Sequence, residues 1–193
     1  MEIDGWVYRK AVRYDVPGHA HFLTFSCQNR LPLLSNEIWR GWLGESVRAA
    51  CEELHVALWA YVFMPEHVHL LVRPRRENCR ISDFLYSVKK PLAERVLNSL
   101  KESKSPLLEK LRIVEAGRTR YRFWLAGGGH DFNVLGMNKA IEKAQYCHRN
   151  PVKRRLVKSP EQWRWSSFRW LELGRTAHEP LHVDPWDESL EES

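Results

Sequence analysis

Hydrophobic and polar positions divide the chain into a short series of elements. From Ala20 to Gln28 (AHFLTFSCQ), Phe22, Thr24 and Ser26 fall on one side and Leu23, Phe25 and Cys27 on the other, which predicts a strand after the turn Pro17-Gly18. Over residues 36–54 the apolar positions Ile38, Trp42, Leu43, Val47, Ala50 and Leu54 recur at helical spacing, with Ser35 or Asn36 available as a cap. Val56 to Met64 and Val68 to Val72 are apolar runs rich in β-branched and aromatic residues. They flank Pro65-Glu66 and predict a hairpin buried on at least one face. Residues 81–100 again read as helix, with Pro91 expected to kink it or to begin a new segment.

The polar stretch 101–106 (KESKSP) reads as a surface loop. Tyr121 to Leu125 predicts a short strand ahead of Gly127-Gly128-Gly129, and Val134 to His148 predicts a helix that stops at Asn150-Pro151. Its expected inward face is Met137, Ile141, Ala144 and His148, while Tyr146 and Asn150, four apart, share a different face. The predicted class is therefore α/β (α+β): a split βαβ, ferredoxin-like βαββαβ core with an additional C-terminal helix that carries the tyrosine.

Composition adds a boundary and a partner. The chain has 193 residues, 44% hydrophobic and 28% charged, as expected for one domain over residues 1–178 followed by an acidic tail, 179–193. No stretch approaches the roughly 20 apolar residues of a membrane helix, and MEIDGWVYRK places charges where a signal peptide would be apolar, so neither membrane spanning nor secretion is expected. Cys27, Cys51, Cys79 and Cys147 lie far apart with no CxxC pair, which points to reduced cytoplasmic thiols. The formal net charge of +6 hides an asymmetry: without the six carboxylates of the tail, 30 basic residues face 18 acidic ones, a balance of +12. Nine tryptophans accompany this charge, some interleaved with arginine, as in Trp163-Arg164-Trp165. Cations hold phosphates and flat rings stack on bases, so the pattern points to nucleic acid with unpaired or hairpin segments. The same residues serve equally as a tryptophan core beneath a solvated basic face.

The sharpest local feature is Met64-Pro65-Glu66-His67-Val68-His69-Leu70-Leu71-Val72. On a strand His67 and His69 project from one face, where two imidazoles can ligate one divalent cation, while Val68 points the other way. The spacing alone is weak, because His19-Ala20-His21 shares it. On the last helix Asn150 offers a carbonyl oxygen, a hard ligand suited to Mg²⁺ or Mn²⁺, and Tyr146 offers an oxygen nucleophile. Spacing leaves a surface tyrosine and a helix-ending Asn-Pro as the plainer reading, and His148 as a structural histidine.

MPEHVHLLV resembles the HUH motif (His, hydrophobe, His) of single-tyrosine nucleases, and within these the chain resembles the IS200-like transposases, the REP-associated tyrosine transposases in particular. The resemblance spans residues 10–171 and includes Tyr14-Asp15-Val16-Pro17-Gly18, Arg30-Leu31-Pro32-Leu33-Leu34 and Arg122-Phe123-Trp124-Leu125-Ala126-Gly127-Gly128-Gly129. Tyr146-Cys147-His148-Arg149-Asn150-Pro151-Val152 and Trp163-Arg164-Trp165-Ser166-Ser167 complete it. It implies that His67, His69 and Asn150 are metal ligands and that Tyr146 is catalytic. The implied reaction is metal-dependent cleavage and strand transfer of single-stranded DNA at hairpin-forming repeats, through a 5′-phosphotyrosine and without ATP, by a monomer or homodimer. Arg118, Arg120, Arg122, Lys153, Arg154 and Arg155 are candidate phosphate contacts, and Trp163 and Trp165 either stack on unpaired bases or pin the C-terminal segment to the core. Two other readings share the motifs: a domesticated protein that binds DNA or RNA hairpins without cutting, and an unrelated hydrolase that uses metal-bound water. The acidic tail lies outside the resemblance and is expected to be mobile.

Overall fold

The strand β1 (Ala20–Ser26) divides the apolar residues of the protein between two cores. Leu23 and Phe25, with Cys27 just beyond, enter one buried cluster, and Ala20 and Phe22 enter another. The period of two in the sequence thus becomes two faces of one sheet. The computed structural model describes residues 16–127, 129–174 and 179–186. After β1, two short 3₁₀ turns, Gln28–Arg30 and Leu33–Ser35, lead to helix α1 (Glu37–Leu54). Its cap is Asn36, whose side chain accepts from the N–H groups of Ile38 and Trp39 and so satisfies two donors that have no partner within the helix. The hairpin β2 (Val56–Phe63) and β3 (His67–Pro74) follows, then α2 (Ile81–Glu102), the single-turn α3 (Leu107–Lys110), the ribbon β4 (Arg112–Glu115) and β5 (Arg118–Tyr121), β6 (His130–Val134), α4 (Met137–Lys153) and α5 (Phe168–Leu173).

The main sheet has the order β2-β3-β1-β6, with every neighbouring pair antiparallel. With α1 between β1 and β2 and α2 between β3 and β6, this is the ferredoxin-like βαββαβ arrangement. Leu43 and Val47 of α1 and Phe84 and Val88 of α2 pack with Leu23 and Phe25 on one face. On the other face Ala140, Ala144 and Cys147 of α4 meet Phe22, Val62 and Leu71. Helix α4 therefore covers this side of the sheet, joined there by Trp163, Leu171 of α5 and Trp186.

Several expectations change. Tyr121 to Leu125 is not the fourth strand of the sheet: only Tyr121 is in a strand, β5, and the fourth strand, β6, follows the glycines. Gly129 makes this possible. It has φ +74°, and a Cβ there would lie 2.0 Å from the Thr24 carbonyl oxygen, so only glycine can pass so close to β1 before His130 pairs with Thr24. Helix α2 runs through Pro91 as one element rather than restarting. Pro91 is on the exposed side, where water can serve the carbonyl a proline leaves unpaired. Helix α4 likewise continues past Asn150-Pro151 to Lys153, because Ala140, Ala144, Cys147 and Pro151 form one buried line at helical spacing. Ile141, expected inside, is 42% exposed.

The segment 179–186 is packed rather than loose. Leu181 and Val183 join the core, Asp184 bonds the main chain of Leu58 through both its N–H and its carboxylate, and Trp186 lies against Trp59. Together with hydrogen bonds from Phe63 N–H to the Trp165 carbonyl and from Ser167 N–H to the Tyr61 carbonyl, this segment covers the outer edge of β2, which would otherwise offer unpaired strand groups to another chain. All four cysteines are free. Burial pushes the thiols of Cys27 and Cys51 up to about 12, which leaves them protonated and inert.

Candidate active site between β3 and α4

His67 and His69 leave β3 on the side covered by α4, and Val68, fully buried, enters the opposite core. Each ring is held through its Nδ1. His67 Nδ1 is 3.1 Å from Glu66 Oε1, and His69 Nδ1 is 2.7 Å from Thr24 Oγ1, across the register that pairs Thr24 with His69. A carboxylate can only accept, so His67 carries its proton on Nδ1 and keeps a lone pair on Nε2. His69 Nε2 accepts from the amide of Asn150 at 2.9 Å, so its proton is also on Nδ1, donated to Thr24. The two Nε2 atoms lie 3.1 Å apart. At that distance a single proton or a single cation can sit between them.

Burial favours the neutral form of both rings, which leaves each Nε2 a lone pair to share. It is the larger influence on His67, pushing its pKa below the usual value against the opposing pull of Glu66. His69 falls to about 3, first through burial and then through the like charges of His67 and His130. Among the described residues no group of three His, Cys, Asp or Glu side chains is placed to hold a metal ion. The third donor here is an amide: a half-turn of the Asn150 side chain exchanges Nδ2 for Oδ1 beside His69. Two imidazole nitrogens and one carboxamide oxygen, oriented by Glu66 and Thr24, make a donor set that suits a divalent cation.

Tyr146 stands one turn before Asn150 on α4 and is 42% exposed. Its ring meets those of His69 and Phe22 edge-on at centroid distances of 5.4 and 5.9 Å, and the Lys153 ammonium lies 5.0 Å from its centroid. A cleft of about 300 Å³ joins His67, His69, Tyr146 and Asn150 with Thr24, Ser26, Arg30, Lys153 and Arg154. A candidate nucleophile, a candidate cation site and three basic side chains thus share one opening.

The remaining predicted residues divide. Lys153 and Arg154 line the cleft, and Arg154 also bonds Glu66 at 2.8 Å, tying the end of α4 to the histidine strand. Arg118 and Arg120 are exposed on the β4–β5 ribbon, Arg122 pairs with Glu115, and Arg155 follows α4 on the surface; none of these four lines the cleft. Trp163 and Trp165 are packing residues. Trp165 is 8% exposed, stacks on Phe63 and donates its indole N–H to Glu37, while the indole of Trp163 bonds the Phe63 carbonyl and the Arg40 guanidinium covers its ring. His148 is structural, bonded to Ser167 Oγ at 3.0 Å.

Thr24, Glu66 and Arg30 were missed from the sequence. Glu66 precedes His67 directly, and its adjacency was a readable signal. Thr24 and Arg30 reach the site only through strand register and the turn after β1.

An antiparallel α/β sandwich with a histidine pair facing a tyrosine-bearing helix defines a narrow class of protein. The model of the family described as "Transposase IS200 like" matches residues 16–111, and the chain belongs to that family. The match covers β1 to α3 with both histidines, while Tyr146 and Asn150 lie beyond it. The fold is shared with a REP-associated tyrosine transposase solved bound to a REP hairpin, at TM-score 0.65 and 18% identity over 96% of this chain and 98% of that one. A protein of Deinococcus radiodurans R1 described as a candidate transposase aligns at TM-score 0.44 and 22% identity, over 72% of this chain and 94% of that one. No curated protein matches the sequence. Among the described residues no helix is long and apolar enough to cross a membrane.

Proposed function

We propose that the protein is a metal-dependent, site-specific endonuclease and strand transferase for single-stranded DNA, acting on hairpin-forming repeats. The observation that carries this reading is the approach of two imidazole lone pairs and one carboxamide beside the ring of Tyr146. His67, His69 and Asn150 would hold Mg²⁺ or Mn²⁺. Such a cation, when bound, supplies charge against a nonbridging phosphate oxygen and orients the phosphate for in-line attack.

The chain supplies the rest. Tyr146 Oη attacks phosphorus and its proton passes to solvent. The bond to the 3′ oxygen breaks, that oxygen takes up a proton, and a 5′-phosphotyrosine ester remains. One ester replaces another, so the reaction needs no ATP and reverses when a second 3′-hydroxyl attacks. Arg30, Lys153 and Arg154 meet the flanking phosphates in the cleft, and Arg118, Arg120, Arg122 and Arg155 offer further charge for a hairpin stem. Hairpin recognition is supported by the relative of the same fold that was solved with a REP hairpin.

Single strands carrying candidate repeat hairpins, incubated with the protein and Mn²⁺ or Mg²⁺, should give a covalent protein–DNA band on a denaturing gel. Tyr146→Phe should abolish the band while hairpin binding in a gel shift persists. Adducts that survive in Tyr146→Phe would remove Tyr146 from the chemistry.

A further inference from the structure

A second cleft, of about 330 Å³, opens on the other side of Tyr146 between β6 and α4. His130 and Phe132 wall it on β6, Lys143 and Tyr146 wall it on α4, and Phe22 contributes from β1. Thr24, His69 and Tyr146 line both clefts, so the two meet at the candidate nucleophile.

Their linings differ in kind. The first cleft carries Arg30, Lys153 and Arg154, groups suited to phosphates. The second is aromatic with a single ammonium. Phe132 lies directly across the strand pair from Phe22, and because β6 is the sheet's edge strand the aromatic surface extends outward to solvent, where Phe132 remains 39% exposed. The Lys143 ammonium stands 4.6 Å from the Phe132 ring centroid and 5.6 Å from that of Phe22. The ammonium lies over the ring, so a base that takes this face moves the flexible lysine off it and toward the base's own phosphate. A strand whose phosphate sits at Tyr146 has one nucleotide on each side of it, and the two clefts offer a place for each.

We propose that this cleft holds the unpaired base of a nucleotide flanking the scissile phosphate, stacked on Phe132 with its phosphate toward Lys143. The register rests on the strand-cleaving reading, whereas the stacking does not require cleavage. A base within a duplex has both faces covered by its neighbours, so the subsite also selects single strands.

The test uses the full chain and a pool of short single-stranded DNA of randomised sequence in which thymine is replaced by 5-iodouracil. Irradiation should crosslink the pool to the peptide that contains Phe132, and the same pool annealed to its complement should not crosslink there. Phe132→Ala should weaken binding of the single strands about tenfold, within the range for loss of one base–aromatic stack, and Phe132→Trp should restore it. Binding of a blunt, fully paired duplex without a loop should be equal in all three proteins. Crosslinks confined to other peptides, with single-strand affinity unchanged in Phe132→Ala, would overturn the subsite. The crosslink is read on the wild-type chain, so a Phe132→Ala variant that fails to fold does not obscure the result. Phosphotyrosine formation without a Phe132 crosslink overturns the subsite and spares the cleavage reading; a Phe132 crosslink without phosphotyrosine does the reverse.

Discussion

Two His-x-His pairs stand on adjacent strands of one sheet, and they have different fates. His21 is buried on the side away from α4, its Nδ1 2.9 Å from Asp131, and His19, ahead of β1, bonds Asn133. Each of those rings finds its own partner on β6. His67 and His69 face α4, with Thr24 and Glu66 occupying both Nδ1 atoms so that both Nε2 atoms converge. Identical spacing thus yields a donor pair only where the backs of the rings are tied and a third donor, Asn150, arrives from another element. Sequence spacing specifies a shared side; the register of the neighbouring strand and the helix above decide what that side can bind.

The most direct way to break this contrast concerns the cation. A divalent ion that binds the folded chain alone raises stability by about 2.7 kcal/mol at a hundredfold excess over its Kd. Addition of Mn²⁺ should therefore raise the melting temperature of the wild-type protein, and His69→Ala or Asn150→Ala should erase the rise. In His21→Asn the rise should persist. An equal loss in His21→Asn would dissolve the distinction between the pairs.

A further buried histidine, on α4 itself, sharpens the comparison through pH. Burial lowers the pKa of His148 from 6.5 to about 4. Because the unfolded chain takes up this proton first, the contribution of His148 is fully present above about pH 6.5 and is lost as pH falls toward 4, by about 3 kcal/mol in all. Chemical denaturation across that range should show a shallower decline in His148→Gln than in the wild type. An unchanged slope would mean that His148 is not held neutral.

The smallest effect belongs to the decoy pair. His21→Asn takes a buried hydrogen bond from Asp131 and should lower stability by about 1–3 kcal/mol in urea, with covalent adduct formation unaltered. A loss of adducts in that variant would connect the far side of the sheet to the site.

Much of this was legible beforehand because local rules decided it. Alternation along 20–28 and the apolar runs 56–64 and 68–72 gave the strands, a cap at Ser35 or Asn36 gave the start of α1, and the four-residue interval from Tyr146 to Asn150 put both on one side of a helix. The prolines misled. Local rules treat Pro91 and Pro151 as interruptions, yet each removes one hydrogen bond from a helix whose buried line supplies more. The fourth strand was misplaced for a related reason: Tyr121 to Leu125 has strand-like residues, but it meets the end of β1 in a single bridge, Trp124 with Cys27, and the continuous ladder forms only after Gly129 lets the chain approach. The tryptophans were ambiguous by composition, and Trp165 became core once residues 163–167 ran along β2.

By itself, the order of residues determined which side chains share a face of a strand or a helix, because periods of 2.0 and 3.6 are properties of the backbone and hold wherever the element lies. It also determined the chemistry available: two imidazoles, a phenol, an amide and a surplus of cations. Only the tertiary structure decided that Thr24 and Glu66 would turn two imidazoles toward each other, that Asn150 would meet them, and that Tyr146 would stand between a basic cleft and an aromatic one. Those contacts join β1, β3, β6 and α4 across as much as 124 residues of chain, from Phe22 to Tyr146, a separation over which no local period carries information, so register and packing had to supply it.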